Sequence, residues 1–174
     1  MTEDIYLNKE VFILKTKKLT SGALFAAITF ILTVIIKIPS LFKGYINPGD
    51  VGVILSGLFL SPGMSFFAAG LGSALADLFY GYVTYIPATF IIKGLMAVSV
   101  YYVYKSLSKK LKGILPLIIS AVISEGIMIA GYFLFEGMLY GFIPSMANIL
   151  PNAIQGGFAI IVTPILLRII KQKP

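Results

Sequence analysis

The stretch GSALADLFYGYVTYIPATFIIKG places one aspartate and one lysine, Asp77 and Lys93, in an otherwise apolar and aromatic sequence. A buried charge is costly unless it has a partner, a polar cavity or a ligand. The two residues flank the Tyr82–Tyr85 turn at similar distances. In an antiparallel helical hairpin they would lie at similar depth. We expect either an ion pair between them or a direct ligand contact by at least one.

A second charge, Glu125, stands in LIISAVISEGIMIAGYF with no basic residue in the same segment. Met128, Tyr132 and Glu136 follow at +3, +7 and +11, which places them on the same stripe of a helix. A carboxylate with an aromatic ring above it is typical of a pocket floor. A protonated or helix-bridging structural Glu125 is the alternative.

Amide side chains form a third pattern in PSMANILPNAIQGGFAIIVTP. At offsets of 0, +4, +7, +11 and +15 this segment carries Asn148, Asn152, Gln155, Ala159 and Thr163. Amides both donate and accept hydrogen bonds, so the stripe suits recognition of a neutral heteroaromatic or hydroxylated ligand. Hydrogen bonding between helices is the alternative.

The turn-rich segment KGYINPGDVG, residues 43–52, precedes the second apolar stretch. Tyr45, Asn47 and Asp50 could reach over a cavity from above, which predicts a lid. Asp50 could instead act as a simple helix N-cap.

The segment from Ser65 to Asp77 repeats small residues on one side of a helix. The small and polar positions are Ser65, Ala69, Ser73 and Asp77, with Ala68, Gly72 and Ala76 beside them. Small faces let membrane helices approach closely, so we expect this face to pack inside a bundle.

The composition sets the class of the protein. The chain has 174 residues, of which 58% are hydrophobic and 12% charged, and the mean hydropathy is +0.95. These values indicate an all-α integral membrane protein. Cys and His are absent, which excludes disulfides, thiolate and imidazole catalysis and the usual zinc sites. Without a P-loop motif the chain cannot hydrolyse ATP itself, and we predict no enzyme activity, cofactor or metal.

Six apolar stretches predict six transmembrane helices in one domain, residues 1–174, in which residues 1–19 form a short cytoplasmic or interfacial segment. The spans are placed near 20–37, 49–61, 63–80, 86–106, 114–135 and 147–170. The second is short and interrupted by glycine, which favours a tilted or partial crossing.

The net charge of +7 is spread between the apolar stretches, so it indicates membrane topology and not a nucleic-acid partner. Ten basic residues fall on the side of both termini, against Lys37 and Lys43 on the other: Lys15, Lys17, Lys18, Lys105, Lys109, Lys110, Lys112, Arg168, Lys171 and Lys173. The positive-inside rule then predicts that both termini are cytoplasmic.

The sequence resembles the substrate-binding S component of energy-coupling factor (ECF) transporters. The motifs that carry the resemblance are the N-terminal SGALFAAITF and the segment that runs from YINPGDVG through GSALADL and the Tyr-rich turn to IIKG. The resemblance covers Thr20 to Lys171. It implies a six-helix bundle in a prokaryotic plasma membrane that captures a vitamin or its precursor outside. It also implies a transmembrane scaffold (T) subunit and two cytoplasmic ATPases as partners, with Ala23 and Ala27 on the surface that meets the scaffold.

Within that family the sequence is most similar to the branch associated with hydroxymethylpyrimidine or vitamin B6, with riboflavin as the alternative ligand. By this resemblance Glu125 would pair with an aminopyrimidine or protonated pyridine edge, and Asn152 and Gln155 would hold hydroxymethyl groups. Tyr132 or Tyr85 would stack on the ring. The expected substrate-binding residues are Glu125, Asn152, Gln155, Asn148, Tyr132, Tyr85, Lys93, Asp77 and Tyr45.

Two functions of other classes stay open at this point. One is a membrane scaffolding protein without a ligand, whose polar residues only tie helices together. The other is a small intramembrane enzyme that uses Asp77 and Glu125 as an acid and base pair.

Overall fold

The structure is a computed structural model that describes residues 2–40 and 44–171, with side chains described for residues 16–40 and 44–169. Seven α-helices account for most of these residues. They are α1 (Thr2–Ile35), α2 (Gly49–Phe59), α3 (Pro62–Phe79), α4 (Ile86–Leu107), α5 (Leu115–Tyr140), α6 (Phe142–Ser145) and α7 (Ile149–Lys171). Short 3₁₀ turns, Val83–Tyr85 and Met146–Asn148, precede α4 and α7.

The all-helical prediction is confirmed. Each predicted span corresponds to a helix, and the main differences are at helix ends: α1 begins at Thr2, and α5 continues to Tyr140. Gly141 has a φ of 92°, a left-handed conformation that suits glycine and lets the chain turn after α5.

Four stretches of the described chain are long and apolar enough to cross a membrane: Thr16–Ile35, Val83–Leu107, Leu115–Tyr140 and Phe142–Ile169. The helix α2 has only 11 residues, as the short second span led us to expect. All of its residues 49–57 are buried, so α2 lies inside the bundle. Two apolar clusters meet on it, one through Val51 and Ile54 and one through Val53.

The small face of α3 packs inside the bundle, as predicted. A Cβ added at Gly72 would lie 2.5 Å from the carbonyl oxygen of Ala26 in α1, and one added at Gly70 would lie 2.6 Å from that of Phe90 in α4. The bulky residues of α3, such as Leu71, Leu75 and Phe79, are exposed on the opposite face. An apolar exterior over a small, partly polar interior is the arrangement that lipid favours.

Two short strands connect α1 to α2. The strand β1 (Ile38–Pro39) pairs antiparallel with β2 (Tyr45–Ile46), with Ile38 opposite Ile46 and Pro39 opposite Tyr45. We call β1, β2 and the described residues up to Pro48 the roof hairpin, because its residues cover the polar interior of the bundle.

Candidate functional site

A cavity of about 50 Å³ lies between the roof hairpin and the bundle. It is bordered by α1, α3, α4, α5, α7 and the turn before α4. The described residues that line it are Thr33, Gly44, Tyr45, Asn47, Ser73, Asp77, Tyr82, Tyr85, Thr89, Lys93, Tyr132, Glu136, Asn152 and Gln155. The cavity therefore combines tyrosine rings with carboxylate, amide, hydroxyl and ammonium groups.

The structure brings most of the predicted ligand-binding residues together. Those that line the cavity are Tyr45, Asp77, Tyr85, Lys93, Tyr132, Asn152 and Gln155. Two others, Glu125 and Asn148, are absent from the described lining residues, although both are buried nearby. The polar positions of α3, α4, α5 and α7 thus converge on one space.

Lys93 pairs with Asp50 of α2, and not with Asp77, among the described residues. The Nε2 of Gln155 donates to the other carboxylate oxygen of Asp50, so the pair links α4, α2 and α7. The Sδ of Met128 lies 3.2 Å from the Lys93 ammonium. The predicted ion pair between Asp77 and Lys93 is therefore wrong. Asp77 and Lys93 both line the cavity, but the ammonium of Lys93 meets the carboxylate of Asp50 in α2 instead.

Asp50 is not the N-cap of α2, which corrects that alternative. The N-cap position is Pro48, which has no side-chain cap hydrogen bond, and Asp50 lies in the first turn of the helix with 0% exposure. Buried carboxylates need hydrogen-bond donors, and Lys93 and Gln155 supply them.

Asp77 lies beside the roof hairpin and accepts a hydrogen bond from the Tyr45 hydroxyl to Oδ1 at 2.9 Å. Burial and the nearby Asp77 carboxylate raise the pKa of Tyr45, so its hydroxyl stays protonated and able to donate. Thr89 also faces Asp77, and its hydroxyl lies 3.0 Å from that of Tyr132. Oδ2 of Asp77 has no hydrogen bond of normal geometry from any residue that the structure describes.

Glu136 of α5 lines the cavity and is held by two hydrogen bonds. Its Oε2 accepts from Asn148 Nδ2 at 2.9 Å, and its Oε1 accepts from the Tyr85 hydroxyl at 3.3 Å. The Oδ1 of Asn148 in turn accepts from Ser40 at 3.0 Å. Asn148 therefore supports Glu136 and connects it to the roof hairpin.

Hydrogen bonds fasten the roof hairpin to the helices below. The backbone N–H of Asn47 donates to Gln155 Oε1 at 2.9 Å, and its side-chain Nδ2 donates to the same oxygen at 3.2 Å. Next to β1, the Lys37 ammonium lies 4.0 Å from the ring centroid of Tyr80 and 4.9 Å from that of Tyr82, within cation–π range. The hairpin is thus attached to both α3 and α7.

Glu125 is buried between α5 and α7, with 3% exposure. Its Cβ and Cγ would lie 3.0 Å from a Cβ added at Gly156, so the carboxyl side chain occupies space that this glycine leaves. Neither carboxyl oxygen has a hydrogen-bond partner among the described residues. Lys93 and Gln155, and not Glu125, are among the described residues that line the cavity.

Sequence reasoning did not single out several cavity residues as ligand contacts, among them Ser73, Tyr82, Thr89 and Glu136. Ser73 and Thr89 each stand four residues before a charged cavity residue, Asp77 and Lys93, and so share its helix face. That spacing was the signal that could have found them.

Ala23 and Ala27 are exposed on α1 and are not among the described residues that line the cavity. They border an apolar surface groove of about 650 Å³ between α1 and α3, together with Phe30, Leu71 and Leu75. The described residues that line this groove are all apolar, so it differs chemically from the cavity.

A family model described as "ECF-type riboflavin transporter, S component" matches residues 13–172. The chain belongs to this family of ECF transporter S components. It is therefore a membrane-embedded subunit of a transport system and not an enzyme. The chain is also 29% identical over 144 residues to a Pyrococcus woesei protein described as "Uncharacterized protein in gap 3'region", covering 82% of this chain and 94% of that one.

Solved structures of S components share the fold. One, of the S component of a bacterial ECF transporter, has a TM-score of 0.67 at 22% identity, covering 90% of this chain and 96% of that one. Another, of an S component for biotin from an ECF-type ABC transporter, has a TM-score of 0.64 at 20% identity. It covers 92% of this chain and 94% of that one. At this identity the likeness concerns the fold.

Proposed function

We propose that this S component binds a small heteroaromatic vitamin or vitamin precursor in the cavity under the roof hairpin, for ATP-driven uptake. The observation that carries the proposal is the convergence of Tyr85 and Tyr132 with Asn152 and Gln155 on one cavity. Flat rings suit contacts with tyrosine, and the amides suit the polar edges of a heterocycle. The residues that we propose as ligand contacts are Tyr45, Asp77, Tyr85, Lys93, Tyr132, Asn152 and Gln155.

Glu125 is not included among these contacts. It lies near the Lys93 and Asp50 pair and is absent from the described cavity lining. Its proposed role is structural, in the packing of α5 against Gly156 of α7. For Asn148 we propose a supporting role, because it donates a hydrogen bond to Glu136 of the cavity lining.

The roof hairpin would open to admit the ligand. A cavity of about 50 Å³ holds little more than water, whereas small-molecule pockets usually measure about 300–1,000 Å³. The hydrogen bonds from Tyr45 to Asp77 and from Asn47 to Gln155 are the ones that opening must break. Both acceptors are cavity residues, so a ligand could take over the bonds that the hairpin gives up.

Two ligand types fit the proposal. Hydroxymethylpyrimidine and the vitamin B6 pyridines are small rings with hydroxymethyl groups that Asn152 and Gln155 could bind. Riboflavin is the second candidate, supported by the description of the matching family model. It is a larger ring system and would require a wider displacement of the roof hairpin.

For partners we propose the T scaffold subunit and two ATPases of an ECF transporter, since the chain belongs to a family of subunits of such transporters. Ala23 and Ala27 would form part of the surface that meets the scaffold, because they are exposed on an apolar face of α1. A subunit that moves against a scaffold in lipid benefits from such a surface without charges.

We further propose six membrane crossings with both termini in the cytoplasm of a prokaryotic cell. The distribution of lysine and arginine supports this topology. It places the roof hairpin on the outer side, where a vitamin would enter. Cysteines introduced at Lys37 and at Lys109 should then label from opposite sides of intact cells.

The alternative is a scaffolding protein whose polar groups only hold helices together. The Lys93, Asp50 and Gln155 network favours it, because these three side chains already satisfy one another and connect three helices. Such a protein would have no small molecule bound after purification.

The deciding experiment is native mass spectrometry of the full chain in detergent, followed by calorimetric titration with hydroxymethylpyrimidine, pyridoxine and riboflavin. The proposal predicts a bound molecule of vitamin size or saturable one-to-one binding of one of these ligands. Binding of none of them, with no molecule bound as purified, would favour the scaffolding alternative.

A further inference from the structure

One carboxylate oxygen of Asp77 has no hydrogen-bond partner of normal geometry in the part of the chain that the structure describes. The residue is 5% exposed and lines the cavity, and Tyr45 donates to Oδ1. Oδ2 has no hydrogen bond of normal geometry within the described residues. The Thr89 hydroxyl faces Asp77 and lies 3.0 Å from the hydroxyl of Tyr132, where either oxygen could be the donor. A buried carboxylate oxygen without a donor is costly, so its partner should come from what enters the cavity.

The charges around the cavity favour a ligand that donates hydrogen bonds. Asp77 and Glu136 line it, and Lys93, which would otherwise balance one of them, is already paired with Asp50. In formal charges, Asp77, Glu136 and Asp50 carry three carboxylates against the ammonium of Lys93, and the one other ammonium described near the lining, that of Lys37, lies over the rings of Tyr45 and Tyr82. An excess of acid attracts a cation or an N–H-rich edge and repels an anion.

We infer that Asp77 is the specificity-determining contact of this site and that it selects a heteroaromatic ligand with an amino group or a protonated ring nitrogen. This inference rests on the proposed function and narrows it. The ligand N–H donates to Asp77 Oδ2, while the ring contacts Tyr132 beside Thr89. The acid that we assign to this role is on α3, and not Glu125 on α5.

This chemistry separates the candidate vitamins. An aminopyrimidine or a pyridinium presents a donor to the carboxylate. The imide edge of riboflavin presents one N–H between two carbonyl oxygens, and both oxygens would approach a carboxylate unfavourably. The carboxylate of biotin, the ligand named for one of the similar structures, would meet an acidic cavity. The site should therefore prefer the amino-bearing ring over both.

The test is calorimetric titration of the full chain in detergent with hydroxymethylpyrimidine, with the same pyrimidine lacking its amino group, with pyridoxine and with riboflavin. Asp77→Asn should weaken hydroxymethylpyrimidine binding about 10- to 100-fold, the range for a hydrogen bond to a charged group. Removing the amino group should weaken binding to the unsubstituted protein by a similar factor. Asp77→Asn should then bind the two pyrimidines almost equally.

Glu125→Gln is the matched control, since it also changes a buried carboxylate to an amide but lies outside the described cavity lining. It should bind hydroxymethylpyrimidine as the unsubstituted protein does. If Asp77→Asn does not fold, the affinities of the unsubstituted protein for the two pyrimidines still test whether the site selects a ligand with an amino group.

The outcomes separate this inference from the proposed function. Equal binding of the two pyrimidines, tight riboflavin binding that Asp77→Asn leaves unchanged, or riboflavin binding alone would overturn the inference and keep vitamin capture. Binding of none of the four compounds would contradict both.

Discussion

Lys93 of α4 and Asp50 of α2 form an ion pair in the interior of the bundle, with exposures of 4% and 0%. Gln155 of α7 donates to the same carboxylate. Together with Gln155, the pair connects α2, α4 and α7, and both Lys93 and Gln155 line the cavity. Taking one partner away would leave a buried charge without compensation.

Lys93→Met should lower the free energy of unfolding by about 3–5 kcal/mol, the usual cost of breaking a buried ion pair. The double variant Asp50→Asn, Lys93→Met should recover part of that loss, because no buried charge then remains in the pair. Thermal unfolding in detergent measures both. Lys105→Met, which changes an exposed lysine on the same helix, is the control and should have little effect. A double variant no more stable than Lys93→Met would contradict the assignment.

Glu125→Gln should leave the free energy of unfolding within about 1 kcal/mol of the original, because neither oxygen of Glu125 has a donor among the described residues. The glutamine side chain keeps the shape that fits against Gly156, and its amide cannot ionise. Glu125→Lys should unfold the protein or lower its melting temperature sharply, since it places a cation in the same space. Loss of ligand binding in Glu125→Gln at unchanged stability would show that Glu125 contacts the ligand.

Tyr45→Phe should loosen the roof hairpin, because it removes the hydroxyl that donates to Asp77. The amide of Asn47, which donates to Gln155, should then exchange with deuterium about tenfold faster, the factor that about 1.4 kcal/mol produces. Hydrogen exchange followed by mass spectrometry of the ligand-free protein measures it. Tyr102→Phe, at an exposed position of α4, should have no effect. Unchanged exchange in Tyr45→Phe would mean that this bond does not hold the hairpin.

Gly72→Ala should destabilise the contact of α3 with α1 by about 1–3 kcal/mol, the cost of overpacking. The added Cβ would lie 2.5 Å from the Ala26 carbonyl oxygen and 2.9 Å from the Thr29 Cβ. Gly126→Ala in α5 is the control, since no described atom outside its own helix backbone and chain neighbours lies within 4 Å of its added Cβ. It should be neutral or stabilising by up to about 1 kcal/mol. Equal melting temperatures for the two variants would contradict the close approach.

The sequence was sufficient to predict the helices and the residues that converge, because both depend on local patterns. Apolar length gave the spans to within a few residues at most ends, and the amide stripe placed Asn152 and Gln155 on the cavity side of α7. The small face of α3 was also predicted, since residue size along one helix face is a property of the sequence.

The pairing of charges could not be predicted in the same way. Depth in the bundle follows from residue spacing, but the rotation of each helix about its axis depends on packing against all its neighbours. Lys93 could meet Asp77 by depth, yet it pairs with Asp50, which comes from the short buried α2. Glu125 is at a pocket-floor position by the same reasoning, yet it packs against Gly156.

The most direct test of the central claim, that a vitamin binds under the roof hairpin, is to fill the cavity. The chain contains no tryptophan, and Asn152 of α7 lines the cavity whereas Ile154 is 55% exposed on the same helix. Asn152→Trp and Ile154→Trp should both keep a cooperative thermal transition. In calorimetric titration with the vitamin that binds the unsubstituted protein, Asn152→Trp should lose at least about 100-fold in affinity, a change of about 2.7 kcal/mol, and Ile154→Trp should lose none. Binding by Asn152→Trp that equals that of Ile154→Trp would contradict the account.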